Sequence, residues 1–168
     1  MKKKKRWYKR PIRSDSVWLK KLRTFCQFYQ VSVRYYRTDN ESSRSGTAWS
    51  AEGKVSICLG DSDGNTSIQD VISTLCHEIG HCLDARNGKY AGYNSGMWVS
   101  KQSARFCIRH GYQAELHADF VGKGLMKRHF PDIPYISGYS RRGRGLKEDL
   151  KWFHKHYLSW YKDYLGGR

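Results

Sequence analysis

From Ser16 onward the apolar residues Trp18, Leu19, Leu22, Phe25, Cys26 and Tyr29 recur at intervals of three and four, the period of a helix with one buried face. Val31 to Arg37 changes to alternation among β-branched and aromatic residues, which predicts a strand. After the polar stretch Asn40 to Gly46, the segments Thr47–Ala51 and Lys54–Leu59 flank Glu52-Gly53, a two-residue turn that predicts a hairpin. Thr66-Ser67-Ile68-Gln69 has the form of a capping box, so a helix is expected to begin there and to run to Asn87-Gly88, where glycine ends it. Residues 89–99 read as irregular. Residues 100–129 read as helical with a break at Gly111, and Pro131 stops them. Beyond an Arg/Gly loop, Ser137 to Gly145, the residues Leu146, Leu150, Phe153, Tyr157, Leu158, Tyr161 and Leu165 mark a last amphipathic helix. One helix, three strands and then helices give an α+β arrangement.

Composition supports a single folded domain: in 168 residues, 39% are hydrophobic and 14% aromatic, enough to build a core. No apolar run approaches the roughly 20 residues that cross a bilayer, and no secretory signal is read at the start, so a cytoplasmic protein is expected. The five cysteines are odd in number and contain no C-x-x-C pair, which disfavours a disulfide framework or a cysteine zinc ribbon. Charge changes the picture more. Lys and Arg number 31 against 15 Asp and Glu, a formal +16, and eight of the cations fall within residues 1–13, where there is no acid. That segment reads as a basic flexible arm, with residues 14–168 as the domain. In a eukaryote, Lys2 to Arg6 would also serve for nuclear import.

The chemistry is concentrated in His77-Glu78-Ile79-Gly80-His81, an H-E-x-x-H pattern on the helix expected from Thr66. At about 100° per residue, Ile68, Val71, Ile72, Leu75, Ile79, Cys82 and Leu83 share one side, while Asp70, Thr74, His77, His81 and Asp84 share the other. Two histidines four apart on a polar face can offer two imidazole nitrogens to one Zn2+. Glu78, at the edge of that face, can take a proton from a water activated there and return it to a leaving amine.

A catalytic zinc site needs a third protein ligand. The metzincin spacing fails, because Asp84 and Asn87 stand where its glycine and third histidine would be. Glu115 is the better candidate: Glu115, Ala118, Asp119 and Gly122 share one face of the later helix, and small residues there permit a close approach. Asp119 could then receive the second ring N–H of His77 or His81. Asp84 is a further candidate for such support. His110 and His117 are rival ligands, although His117 points about 200° from Glu115.

H-E-x-x-H followed by E-x-x-x-D on a later helix resembles the gluzincin zinc metallopeptidases. The runs Leu75 to Asp84 and Glu115 to Val121 are similar to ImmA/IrrE-type peptidases and to the catalytic domain of lethal-factor-type toxins. The resemblance covers about residues 45–130. It implies a minigluzincin-like fold, with a small, mostly antiparallel sheet beside two active-site helices and an extra C-terminal helix. It also implies His77, His81 and Glu115 as ligands, Glu78 as general base, and hydrolysis of peptide bonds in a protein substrate. Such peptidases usually carry a tyrosine or histidine that stabilises the oxyanion; Tyr112 and His110 are the candidates, and Tyr90 and Tyr93 precede them in a loop.

Two other readings stand beside this one. A third histidine in place of Glu115 would resemble an SprT-like, DNA-linked peptidase. Alternatively, the chain is a basic nucleic-acid-binding protein with a structural or vestigial metal site. Lys2 to Arg13, with Trp7 and Tyr8, and Arg141 to Arg144 would be its contacts to phosphates and bases.

Overall fold

The structure, a computed structural model, describes residues 7–13, 16–39, 46–49, 52–60, 66–90 and 101–137, with isolated positions beyond. At residue 49 and over 101–109 it describes the backbone alone. A 3-10 turn at Trp7–Lys9 precedes helix α1 (Val17–Phe28), strands β1 (Ser32–Tyr36), β2 (Gly46–Trp49) and β3 (Lys54–Cys58), and helices α2 (Ile68–Arg86) and α3 (Lys101–His129).

Helix α1 starts where Ser16, in extended backbone, accepts the amide of Trp18 at 3.3 Å. Leu19, Leu22, Phe25 and Cys26 form its buried stripe. The hairpin forms, but Trp49 pairs with Lys54, so the connection is residues 50–53 and not the two-residue turn expected; Gly53 in it has φ +62°, a backbone conformation that glycine adopts without cost. The sheet around it is mixed, however, and this corrects the expectation of a mostly antiparallel one. Its order is β1-β3-β2, with β3 antiparallel to β2 and parallel to β1. The chain leaves β1 for the far edge, and the hairpin then brings β3 back between the two strands, where it runs with β1. The hairpin is a local matter; which flank β1 takes is decided by packing.

Helix α2 lies between the sheet and α3 and is buried on nearly every side. Val71, Ile72, Leu75, Cys76, Ile79 and Cys82 are fully buried in one core with Val55 and Ile57 of β3 and Leu22 and Cys26 of α1. Its cap is Ser67 rather than Thr66: the Ser67 hydroxyl accepts the Asp70 amide at 3.1 Å and donates to the Asp70 carboxylate at 2.6 Å. The helix ends at Asn87, followed by Gly88 at φ +71°. Cys26, Cys58, Cys76 and Cys82 are buried free thiols, and burial pushes Cys26 and Cys82 up to about 12. Helix α3 is continuous through Gly111, where a break was expected. One glycine costs about 1 kcal/mol relative to alanine, too little to interrupt a helix of 29 residues braced along α2.

Of the basic stretch 1–13, the structure describes residues 7–13, and these are packed on the body. Trp7 stacks on Trp18 at 4.9 Å, Pro11 forms a bridge with Ser67, and the amides of Ile12 and Ile68 bond to Thr66 and Arg10 at 3.0 Å. Ile12, 1% exposed, belongs to the core, and Arg37 holds its carbonyl at 3.0 Å. Apolar anchors among the cations overcome the repulsion that the charge count suggested. The Arg/Gly loop and the last amphipathic helix lie outside the described residues, apart from Ser137 and from Lys151, Lys155, Leu158, Ser159 and Lys162, which are helical and exposed. Among the described residues no helix is long and apolar enough to cross a membrane.

Truncating Ile12 to alanine removes a fully buried side chain and should cost about 3 kcal/mol of folding stability. Urea denaturation of the variant beside the parent measures it; an unchanged midpoint would mean that the N-terminal strap carries no load.

Candidate metal centre

The two helices that carry the motif residues meet backbone to backbone. A Cβ added to Gly80 would lie 2.7 Å from the carbonyl oxygen of Ala118, and one added to Gly122 would lie 2.9 Å from the amide nitrogen of His77. Both distances are below any contact a real Cβ makes, so both positions require glycine. The pairs Gly80 with Ala118 and His77 with Gly122 also show that the helices run antiparallel. Glu115, one turn before Ala118, is thereby carried over the two motif histidines.

His77 Nε2 lies 2.9 Å from Glu115 Oε2, His81 Nε2 lies 3.5 Å from Glu115 Oε1, and the two histidine Nε2 atoms are 3.2 Å apart. His77, His81 and Glu115 form a cluster able to hold one metal ion, with ligand atoms all within 4.8 Å of one another. Two ligands at 2.0–2.1 Å from a common ion at a tetrahedral angle stand about 3.3 Å apart, which the three observed separations bracket. The donor chemistry fits as well. Two imidazole nitrogens and a carboxylate oxygen, converging at this spacing, are the donor types that zinc takes.

Behind the cluster, His77 Nδ1 donates to Asp119 Oδ1 at 3.0 Å, which orients the ring so that Nε2 faces Glu115 and His81. Asp119 is itself held, by Tyr135 donating at 2.6 Å to the same oxygen and by Ser137 donating to the other. Tyr135 and Ser137 escaped the sequence reading. They lie beyond Pro131 in a segment without periodicity, and no local signal marks its return to the site.

Electrostatics follow from crowding. Burial works against charge on His77, yet its bonds to Asp119 and Glu115 and the charges of Glu115 and Glu78 raise its pKa well above the ordinary histidine value. Burial likewise opposes ionisation of Glu115, but His81 and His77 hold it well below the usual carboxylate range. Asp119 is lowered in the same way, because the donated bonds of His77, Ser137 and Tyr135 outweigh its burial. Glu78 goes the other way: burial raises it and Glu115 adds to the rise, while the two histidines offset only part. It is 6% exposed and is overlaid by Gly46 at the start of β2, where a Cβ would meet its Oε1 at 2.6 Å. Glycine at the head of that strand thus makes room for Glu78, a role the sequence did not disclose.

The remaining candidates are placed differently. His117 donates from Nδ1 to Asp84 Oδ2 at 2.8 Å and accepts from Lys89 at 3.5 Å, so Asp84 supports His117 and not a member of the cluster. The Tyr90 ring lies 6.2 Å from that of His117. Tyr112, buried, and His110, half-buried, sit on α3 within two turns of Glu115 and outside the three-residue cluster. Tyr93 is outside the described residues. Comparison of the chain with protein-family models, curated proteins and solved structures finds no match.

Glu115→Ala should abolish tight binding in a metal titration, whereas His117→Ala should leave it within a few-fold; the reverse order would exclude the carboxylate as ligand. Asp119→Asn should weaken binding by about 10- to 100-fold. A metal must displace the proton that His77 holds in the metal-free protein. Affinity should therefore rise with pH, by about tenfold per unit for one proton, until the raised pKa of His77 is passed. A flat profile from pH 5.5 to 7.5 would contradict that coupling.

Proposed function

We propose that this protein is a zinc-dependent peptidase of the gluzincin type, with a minigluzincin-like arrangement of sheet and helices, acting on a protein or peptide substrate. The observation that carries the reading is the pairing of a three-donor cluster with a buried carboxyl on the residue next to one donor. Structural zinc sites close with a fourth protein donor, whereas three-donor sites keep a position for chemistry. Zinc held by His77, His81 and Glu115 would supply a Lewis acid, polarising a carbonyl and lowering the pKa of water.

The protein's own groups account for the rest. Glu78 is buried with its carboxyl pKa raised, so its affinity for a proton is closer to neutral than that of a surface glutamate. Its carboxylate oxygen accepts the proton of the attacking water and returns it to the amide nitrogen as the C–N bond breaks. Asp119 keeps His77 in one tautomer and one orientation through the step. The glycines at the helix crossing hold Glu115 opposite both histidines, so no reorganisation is needed when substrate enters.

Glu78→Gln retains the volume and removes the base. It should still bind one zinc per chain and lose about 10²- to 10⁴-fold in turnover. Digestion of casein or a peptide library, with and without a chelator and beside elemental analysis, tests it. Full activity in the variant, or chelator-resistant activity in the parent, would refute the reading.

A further inference from the structure

Charge is segregated in this molecule, and long stretches of the chain carry cations without acids. Residues 1–13, 16–37 and 120–131 contain no Asp or Glu. The structure brings parts of all three together: Trp7 stacks on Trp18 of α1 at 4.9 Å, Trp18 meets Phe130 at 6.5 Å, and Phe25 and Phe28 of α1 meet His129 at 5.1 and 6.0 Å. Around this aromatic seam stand Lys9, Lys21 and Arg128, all exposed. Lys21 lies over the Trp18 ring at 5.0 Å, and Arg128 is close enough to Tyr29 and His129 for its charge to act on both. Among the described residues, none of these three cations forms an ion pair. Phe28 projects from the same surface with 68% of its area in water.

We infer that this face, formed by the N-terminal turn, α1 and the end of α3, binds single-stranded nucleic acid. Its cations meet phosphates, and Phe28 offers a ring on which a base stacks. Charge complementarity selects the class of partner. At +16 a second copy of the chain is repelled, and a polyanion is drawn in. The exposed ring selects within the class, because the carboxylate side chains of an acidic protein carry no aromatic ring to stack on it, whereas every base does. The inference stands whether or not the protein is a peptidase.

Fluorescence anisotropy of a labelled oligothymidylate with the full-length protein tests this, beside a duplex of equal length, polyglutamate as competitor and phosphatidylserine vesicles. The parent should bind the single strand best. A contact to four phosphates would give a slope of log affinity on log salt of about −3. Lys21→Glu combined with Arg128→Glu should weaken binding at least tenfold. Phe28→Ala should weaken it about fivefold or more, and Phe28→Tyr, which keeps a ring, should not. Both sites are exposed, and thermal melting checks that the variants remain folded. The inference fails if the oligonucleotide is not bound at 50 mM salt or if the charge reversals leave binding unchanged. It fails equally if Phe28→Ala binds like the parent, or if duplex, polyglutamate or vesicles are preferred.

Discussion

The approach of α2 to α3 at Gly80 and Gly122 is the constraint on which the rest of the site depends. A methyl group at either position would press on the backbone of the other helix, and the helices would have to part. The contacts that join the two helices at the centre span that crossing: Glu115 to both histidines, and Asp119 to His77. Those bonds tolerate displacements of only about a few tenths of an ångström, and a shifted helix moves by more. Two absent side chains therefore govern the positions of the chemical ones, and packing becomes electrostatics at this point.

Such crowding of ionisable groups has a cost. Three acids and two histidines are gathered where water is scarce, and the burden is divided unequally. Glu115 and Asp119 remain ionised because imidazoles face them, while Glu78, facing mainly burial, is pushed toward the neutral form. Neighbouring carboxyls on one pair of helices thus acquire different chemical characters from their surroundings. Another part of the molecule has the reverse composition. The N-terminal turn, α1 and the last turns of α3 carry cations around aromatic rings and no acid. Hydrophobic anchoring by Trp7 and Ile12 draws part of the basic N-terminal stretch onto the body, so its charge becomes part of a shaped surface.

What sequence alone determined was whatever obeys a local period or a short-range turn. The stripe of α1, the hairpin around Glu52-Gly53, the placement of His77 and His81 on one polar face and the shared face of Glu115 and Asp119 all follow from 3.6 residues per turn or from a glycine at positive φ. Tertiary structure alone decided the features that join distant segments. It set the parallel flank of β1 against β3, laid Gly46 over Glu78, held Asp119 through Tyr135 and Ser137, and gave Asp84 to His117. It also tied Trp7 and Ile12 to the core, against a charge count that favoured a free arm. The physical reason is common to all of these: periodicity says which way a side chain faces from its own helix or strand, and it carries no information about what will be packed opposite.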